Sequence, residues 1–110
     1  NIVMRRSLLV SFALGALTSV GLAAATPAIT VIQKGRNFDP QSISVRAGDV
    51  VRFTNDDEFI HQIYVRTPGF SFDSNEQLPD NAIDIAFTKK GSFTVLCGIH
   101  PKMSLAVDVK

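Results

Sequence analysis

From Thr26 onward the apolar and polar residues alternate one by one, and no window carries the i, i+3, i+4, i+7 apolar stripe of an amphipathic helix. A period of two gives a strand one dry face and one wet face, so this part of the chain is expected to be all-β. "AITVIQ" (28–33) reads as a first strand, followed by the turn-rich "KGRNFDPQ" with Gly35, Asn37, Asp39 and Pro40. "SISV" (42–45) directs Ile43 and Val45 one way before the turn "RAGD". "VVRFTN" (50–55) puts Val51, Phe53 and Asn55 on one face, and because that face is apolar it must be the inner one, which draws Asn55 inside.

After the acidic "DDE", the segment "IHQIYVR" (60–66) places His61 on the same side as Ile63 and Val65. Residues 67–81, "TPGFSFDSNEQLPDN", are rich in turn formers and read as a long surface loop whose two phenylalanines pack in part. Alternation resumes in "AIDIAF" (82–87), in "SFTVLC" (92–97), with Phe93, Val95 and Cys97 aligned, and in "SLAVDV" (104–109), with Leu105, Val107 and Val109 inward. About seven or eight short strands separated by turns predict a β-sandwich.

The first 25 residues break the pattern. "MRRSLLVSFALGALTSVGLAAA" joins two arginines to a long uncharged run ending in small residues, with Ala23 and Ala25 in the A-x-A arrangement of a secretory signal peptide. The expected organisation is therefore a signal peptide over 1–25, including Asn1–Val3 ahead of Met4, and one small domain over 26–110 that is periplasmic or secreted. Ser7–Ala25 is nearly long enough for a membrane anchor, but its small residues and Thr18 favour a cleaved signal, so no stable membrane insertion of the mature domain is expected. Of eleven basic residues Arg5 and Arg6 leave with the signal, so nine remain against ten acidic ones, and nothing suggests a nucleic-acid partner.

The single cysteine cannot form an internal disulfide; in an exported protein that leaves a free thiol, an intermolecular bridge or a metal ligand. Its surroundings, "CGIHPKM", gather the cysteine, one of the two histidines and one of the two methionines within seven residues. Asn55, His61 and Cys97 each end an inward-facing set, and His100 and Met103 follow just past Cys97. A thiolate, two imidazoles and a weak thioether suit copper passing between two oxidation states, and a His₂Cys set with a long axial Met describes an electron-transfer copper site. Two residues let the chain turn so that His100 returns to Cys97, two more bring Met103, and Pro101 stiffens the bend. His61, from a distant strand, completes the candidate ligand set His61, Cys97, His100 and Met103 and lets the metal staple the sandwich.

These residues also carry a resemblance. "CGIHPKM" is similar to the C-x-x-H-x-x-M ligand loop of the amicyanin branch of the cupredoxins, "NDDEFIH" resembles the Asn and His of its plastocyanin/amicyanin-like members, and "FDPQSISVRAGDVVRFTN" follows the family's pattern of a phenylalanine, a proline and a Gly-Asp turn before a strand. The resemblance implies a Greek-key β-sandwich, one type 1 (blue) copper ion, one-electron transfer, and a role for Asn55 in tying the His61 loop to the Cys97 strand. It departs at Gly98-Ile99, where amicyanin has Thr-Pro, so Asn55 must find another partner. It departs again at Lys102, which replaces an aromatic residue beside the exposed histidine and makes the docking surface more positive.

The expectation is thus a soluble, monomeric periplasmic carrier of single electrons between redox proteins such as a c-type cytochrome or a periplasmic dehydrogenase, with electrons leaving through Ile99, His100, Pro101 and Lys102. A copper-binding or delivery protein for copper homeostasis uses the same ligands and is the alternative; clusters of Met or His, expected for delivery, are missing. Catalysis is not expected, because both histidines of the sequence are already used and none is left for a second copper. Asp56-Asp57-Glu58 reads as a solvated turn, with a docking patch for a basic cytochrome as its functional alternative.

Overall fold

A computed structural model describes residues 26–110, and the expected signal peptide lies outside them. The described chain forms nine strands, β1 (Ile29–Gln33), β2 (Phe38–Asp39), β3 (Ser42–Val45), β4 (Asp49–Asn55), β5 (Ile63–Thr67), β6 (Phe70–Asp73), β7 (Ala82–Phe87), β8 (Gly91–Cys97) and β9 (Ser104–Val109). They build two sheets, one in the order β2-β1-β4-β7 and one in the order β3-β9-β8-β5-β6. Both are mixed, because β1 runs parallel to β4 and β3 parallel to β9, while their other pairs are antiparallel.

The alternating pattern accounts for the core. Val51, Phe53 and Asn55 of β4, Ile63 and Val65 of β5, Phe93, Val95 and Cys97 of β8, and Leu105, Val107 and Val109 of β9 are all buried. Each large apolar side chain removed from water contributes about 1.5–3 kcal/mol. A one-residue slip of any of these strands would turn that set outward, so the burial pattern also fixes register. Phe38 meets Phe53 edge-on at 6.2 Å between ring centroids, and Phe70 packs on Phe87 and Phe93 at 5.3 and 5.1 Å.

Two stretches differ from the sequence pattern. Residues 67–81 are not one loose surface loop: Phe70–Asp73 adds an edge strand to β5, and Gln77 is fully buried. Phe70 and Phe72 alternate as in a strand, but the turn formers on either side mask so short a pattern. The strand expected over 60–66 begins only at Ile63, and His61 makes an isolated bridge to Gln77 instead. His61 still points inward because it keeps the phase of Ile63 and Val65.

The crossing from β4 to β5 and the loop from β8 to β9 meet at the same end of the sandwich. The pairing of Ile63 with Cys97 brings them together, since it sets His61, two residues before Ile63, beside the end of β8. Among the described residues no helix is long and apolar enough to cross a membrane.

Candidate metal centre

Three of the four sequence-predicted donors converge. The ring nitrogens of His61 and His100 and the sulfur of Cys97 offer three ligand atoms that all lie within 4.8 Å of one another. Cys97 Sγ stands 3.6 Å from His61 Nδ1 and 3.8 Å from His100 Nδ1. A nitrogen at about 2.0–2.1 Å and a sulfur at about 2.3 Å from one shared ion are themselves roughly 3.5–3.8 Å apart for bond angles from tetrahedral to trigonal. The donor spacing therefore fits a single metal ion without rearrangement. Met103 is 1% exposed and donates its backbone N–H to the His100 carbonyl at 3.0 Å, which closes the loop as a tight turn after Pro101. Two imidazoles, a thiol and a thioether are the donor chemistry of a copper electron-transfer site.

His61 is held on both sides. Its backbone exchanges N–H and carbonyl hydrogen bonds with Gln77 at 3.1 and 2.7 Å. Its Nε2 lies 2.7 Å from Asp57 Oδ2, with the histidine side chain 0% and the aspartate side chain 8% exposed. An ionised carboxylate only accepts, so Nε2 carries the proton and donates it, which leaves the Nδ1 lone pair directed at Cys97 and available to a metal. Burial alone would push the Asp57 carboxyl up, but the bond from His61, the N–H groups of Gly35 and Arg36 and the electrostatic attraction of the His61 ring hold it below the usual carboxylate range.

Asp57 is the functional residue that the sequence pattern missed. Its place in a run of three acids reads as a solvated turn, whereas its carboxylate accepts from Gly35 N–H at 2.6 Å, from Arg36 N–H at 3.2 Å and from the His61 ring. One side chain thus joins the β1–β2 turn to the metal centre. A carboxylate four residues ahead of an inward histidine was the available signal.

Asn55 is buried at the end of β4, as its phase required. Its Nδ2 donates to the carbonyls of Phe59 and Gln77 at 2.9 and 3.0 Å, and its Oδ1 accepts from Asp57 N–H at 3.0 Å. The tie therefore runs within the His61 loop and across to Gln77 rather than to the Cys97 strand. Gln77 continues the network, donating to the carbonyls of Phe53 and Asn81 and accepting from Gln33 Nε2 at 2.7 Å. Cys97 instead receives Gln62 N–H at 3.5 Å. Next to it a Cβ on Gly98 would stand 2.7 Å from Gln62 Oε1, so a side chain there requires the Gln62 amide to move.

His100 is half-buried in the loop, between exposed Ile99 and exposed Pro101 and Lys102. Desolvation, reinforced by the positive potential of His61 and Arg36 against a smaller opposing pull from Asp57, holds its pKa below the ordinary imidazole value. The Phe59 ring packs on both imidazoles, 5.4 Å from His61 and 5.1 Å from His100, and the two imidazoles are 5.0 Å apart.

The family model described as "Cupredoxin-like domain" matches residues 7–107. The chain belongs to the cupredoxin-like family. No relative among curated proteins matches it. Among solved structures this cupredoxin is similar to a copper(I) form of an amicyanin variant, with 21% sequence identity and a TM-score of 0.71 over 79% of this chain and 86% of that one. It is similar to a purple cupredoxin from Nitrosopumilus maritimus, with 22% identity and a TM-score of 0.65 over 74% and 98% of the two chains. It also matches a copper-containing nitrite reductase from Thermus scotoductus SA-01 at 28% identity and a TM-score of 0.70, covering 84% of this chain but only 25% of the reductase.

Proposed function

We propose that this cupredoxin is a periplasmic electron carrier that holds one type 1 copper ion on His61 Nδ1, Cys97 Sγ, His100 Nδ1 and the Met103 thioether. The observation that carries it is the convergence of one sulfur and two ring nitrogens within 4.8 Å, on a fold whose family is established. When bound, the copper supplies a one-electron couple between its cupric and cuprous states.

The residues supply rigidity. Asp57 and Gln77 fix the ring and backbone of His61, and the turn closed by Met103 N–H fixes His100 relative to Cys97. Donors that cannot move between oxidation states keep the reorganisation accompanying electron transfer small. The same clamping opposes release of the metal, which favours a carrier over copper delivery. His100, bordered by Ile99, Pro101 and Lys102, is the ligand nearest solvent and the exit for the electron, whereas His61 is fully buried. Both histidines of the sequence stand at this one centre, so no imidazole is left for a second copper, and the chain acts without substrate chemistry of its own. Its partners are redox proteins, a c-type cytochrome or a periplasmic dehydrogenase.

Carrier and delivery protein separate in one experiment, in which copper-loaded protein is cycled between oxidation states in the presence of a strong cuprous chelator. Retention of the metal through many cycles, with rapid electron exchange, is the carrier's result; stoichiometric loss to the chelator in the first reduction would make it a delivery protein.

A further inference from the structure

The β1–β2 turn and the Cys97–Met103 loop enclose a groove of about 410 Å³ lined by Gly35, Arg36, Asn37, Ile99, His100, Pro101 and Lys102. Its floor is apolar and includes the half-exposed Ile99, at 44%. Its walls carry one cation on each side, Arg36 from the turn and Lys102 from the loop, and no acidic residue lines it. This local excess of positive charge stands against a mature domain in which acids slightly outnumber bases.

Arg36 is not a loosely hung side chain. Its backbone adopts φ 60°, a conformation that costs free energy outside glycine. Asp57 holds that conformation by accepting from the N–H groups of Gly35 and Arg36, and the guanidinium lies 4.9 Å above the Phe59 ring that packs on His100. A cation held over an aromatic face keeps its charge while losing little further rotamer freedom on binding. The side chain that orients the buried ligand therefore also presents a fixed positive charge beside the exposed one.

Building on the electron-carrier reading, we infer that Arg36 and Lys102 form a cationic clamp across this groove that receives the acidic face of a redox protein. A partner carboxylate enters between the two cations while apolar partner surface covers Ile99. The encounter brings the acceptor group over the His100 edge, and one electron passes from the reduced cupredoxin to the oxidised partner with no bond made or broken. Charges placed in this way act mainly on association rate and partner choice. The acidic residues Asp56 and Glu58, exposed on the adjoining segment, line no part of the groove.

The test uses cytochrome c and its succinylated derivative, which present the same haem with opposite net charge. Oxidation of the reduced, copper-loaded protein by each ferric haem is followed by stopped flow at low and high ionic strength. Metal-free protein is titrated in parallel with succinylated cytochrome c by NMR, which reads docking without electron transfer. Arg36→Glu and Lys102→Glu should each slow the reaction with the succinylated form about tenfold at low salt and hardly at all at high salt. Lys90→Glu, which makes the same change in net charge at the far end of β8, should leave it unchanged. Amide shifts should cluster on the groove. If Lys90→Glu is as damaging as Arg36→Glu, or if both variants slow the two cytochromes equally, the clamp is refuted. Failure of the copper-loaded wild type to exchange electrons with either cytochrome, despite shifts at the groove, would instead overturn the carrier function and leave the docking surface standing.

Discussion

Replacing Asp57 by alanine removes a largely buried carboxylate from a three-way junction. Its Oδ2 accepts from the His61 ring at 2.7 Å and from Arg36 N–H at 3.2 Å, and its Oδ1 from Gly35 N–H at 2.6 Å. A buried hydrogen bond to a charged group is worth about 1.5–3 kcal/mol. The two turn N–H groups are exposed and water can replace their acceptor, so they add roughly 0.5 kcal/mol each. The metal-free domain should lose about 2.5–4 kcal/mol on this count. In urea that lowers the unfolding midpoint by about 1 M or more. Metal affinity should fall about 10–100-fold, the usual effect of removing the partner of a ligating histidine. Asp57→Asn should do nearly as badly, because only one of its two positions can still accept and its amide N–H₂ must face a donor. The assays are urea unfolding of the metal-free protein and competitive metal titration, run on both variants. If Asp57→Ala keeps the wild-type midpoint and affinity, the carboxylate is the solvated turn residue that its acidic neighbours suggest, and the positioning of His61 has been misattributed.

Three further outcomes follow from other contacts. Gly98→Ala places a Cβ 2.7 Å from Gln62 Oε1 and displaces a side chain that bonds Asp73 at 3.0 and 3.2 Å. The cost should be below about 1 kcal/mol and should vanish in a Gln62→Ala background; a large loss in both backgrounds would mean that the backbone itself is strained. Gln77→Ala removes the shorter of the two acceptors of the buried Gln33 Nε2, which keeps its bond to the Thr54 carbonyl, and the side-chain donor to the Phe53 and Asn81 carbonyls; it should cost about 2–4 kcal/mol by urea unfolding, and a shift under about 0.5 kcal/mol would rule out a structural role for the network. Asp84 pairs with Arg52 across β4 and β7 at 2.8 and 2.9 Å, and that hydrogen bond, against a weak desolvation penalty, lowers the Asp84 pKa. A lowered folded-state value stabilises above the unfolded carboxyl pKa and is lost as pH falls through the folded one. Asp84→Asn should therefore lower the unfolding midpoint slightly near neutrality and not in strong acid, with the difference shrinking in salt because the pair is exposed; a difference that grows on acidification would reverse the assignment.

Where a residue lay on a strand, its direction was legible from its phase. Asn55, His61 and Cys97 are polar or reactive residues in otherwise apolar inward sets, and all three are buried where the alternation put them. His100 and Met103 could be placed because only a few bonds separate them from Cys97. Period two says nothing about a side chain in a turn, and there the sequence was silent. Asp57 sits in a run of three acids and owes its role to folding under the β1–β2 turn, a contact across 22 positions of sequence. Gln33 and Gln77 meet across 44 positions, and nothing local marks either as buried. β2, two residues long, and β6, set among turn formers, are too short to impose a pattern on their surroundings.

The central claim is that Cys97, His61 and His100 bind one copper ion through a cysteine thiolate. It is tested most directly by adding cupric ion to the protein and to Cys97→Ser and recording the visible and electron paramagnetic resonance spectra. An intense blue band with narrow copper hyperfine splitting in the wild type, both absent in Cys97→Ser, is the expected result. A pale wild-type spectrum that the substitution leaves unchanged would contradict it.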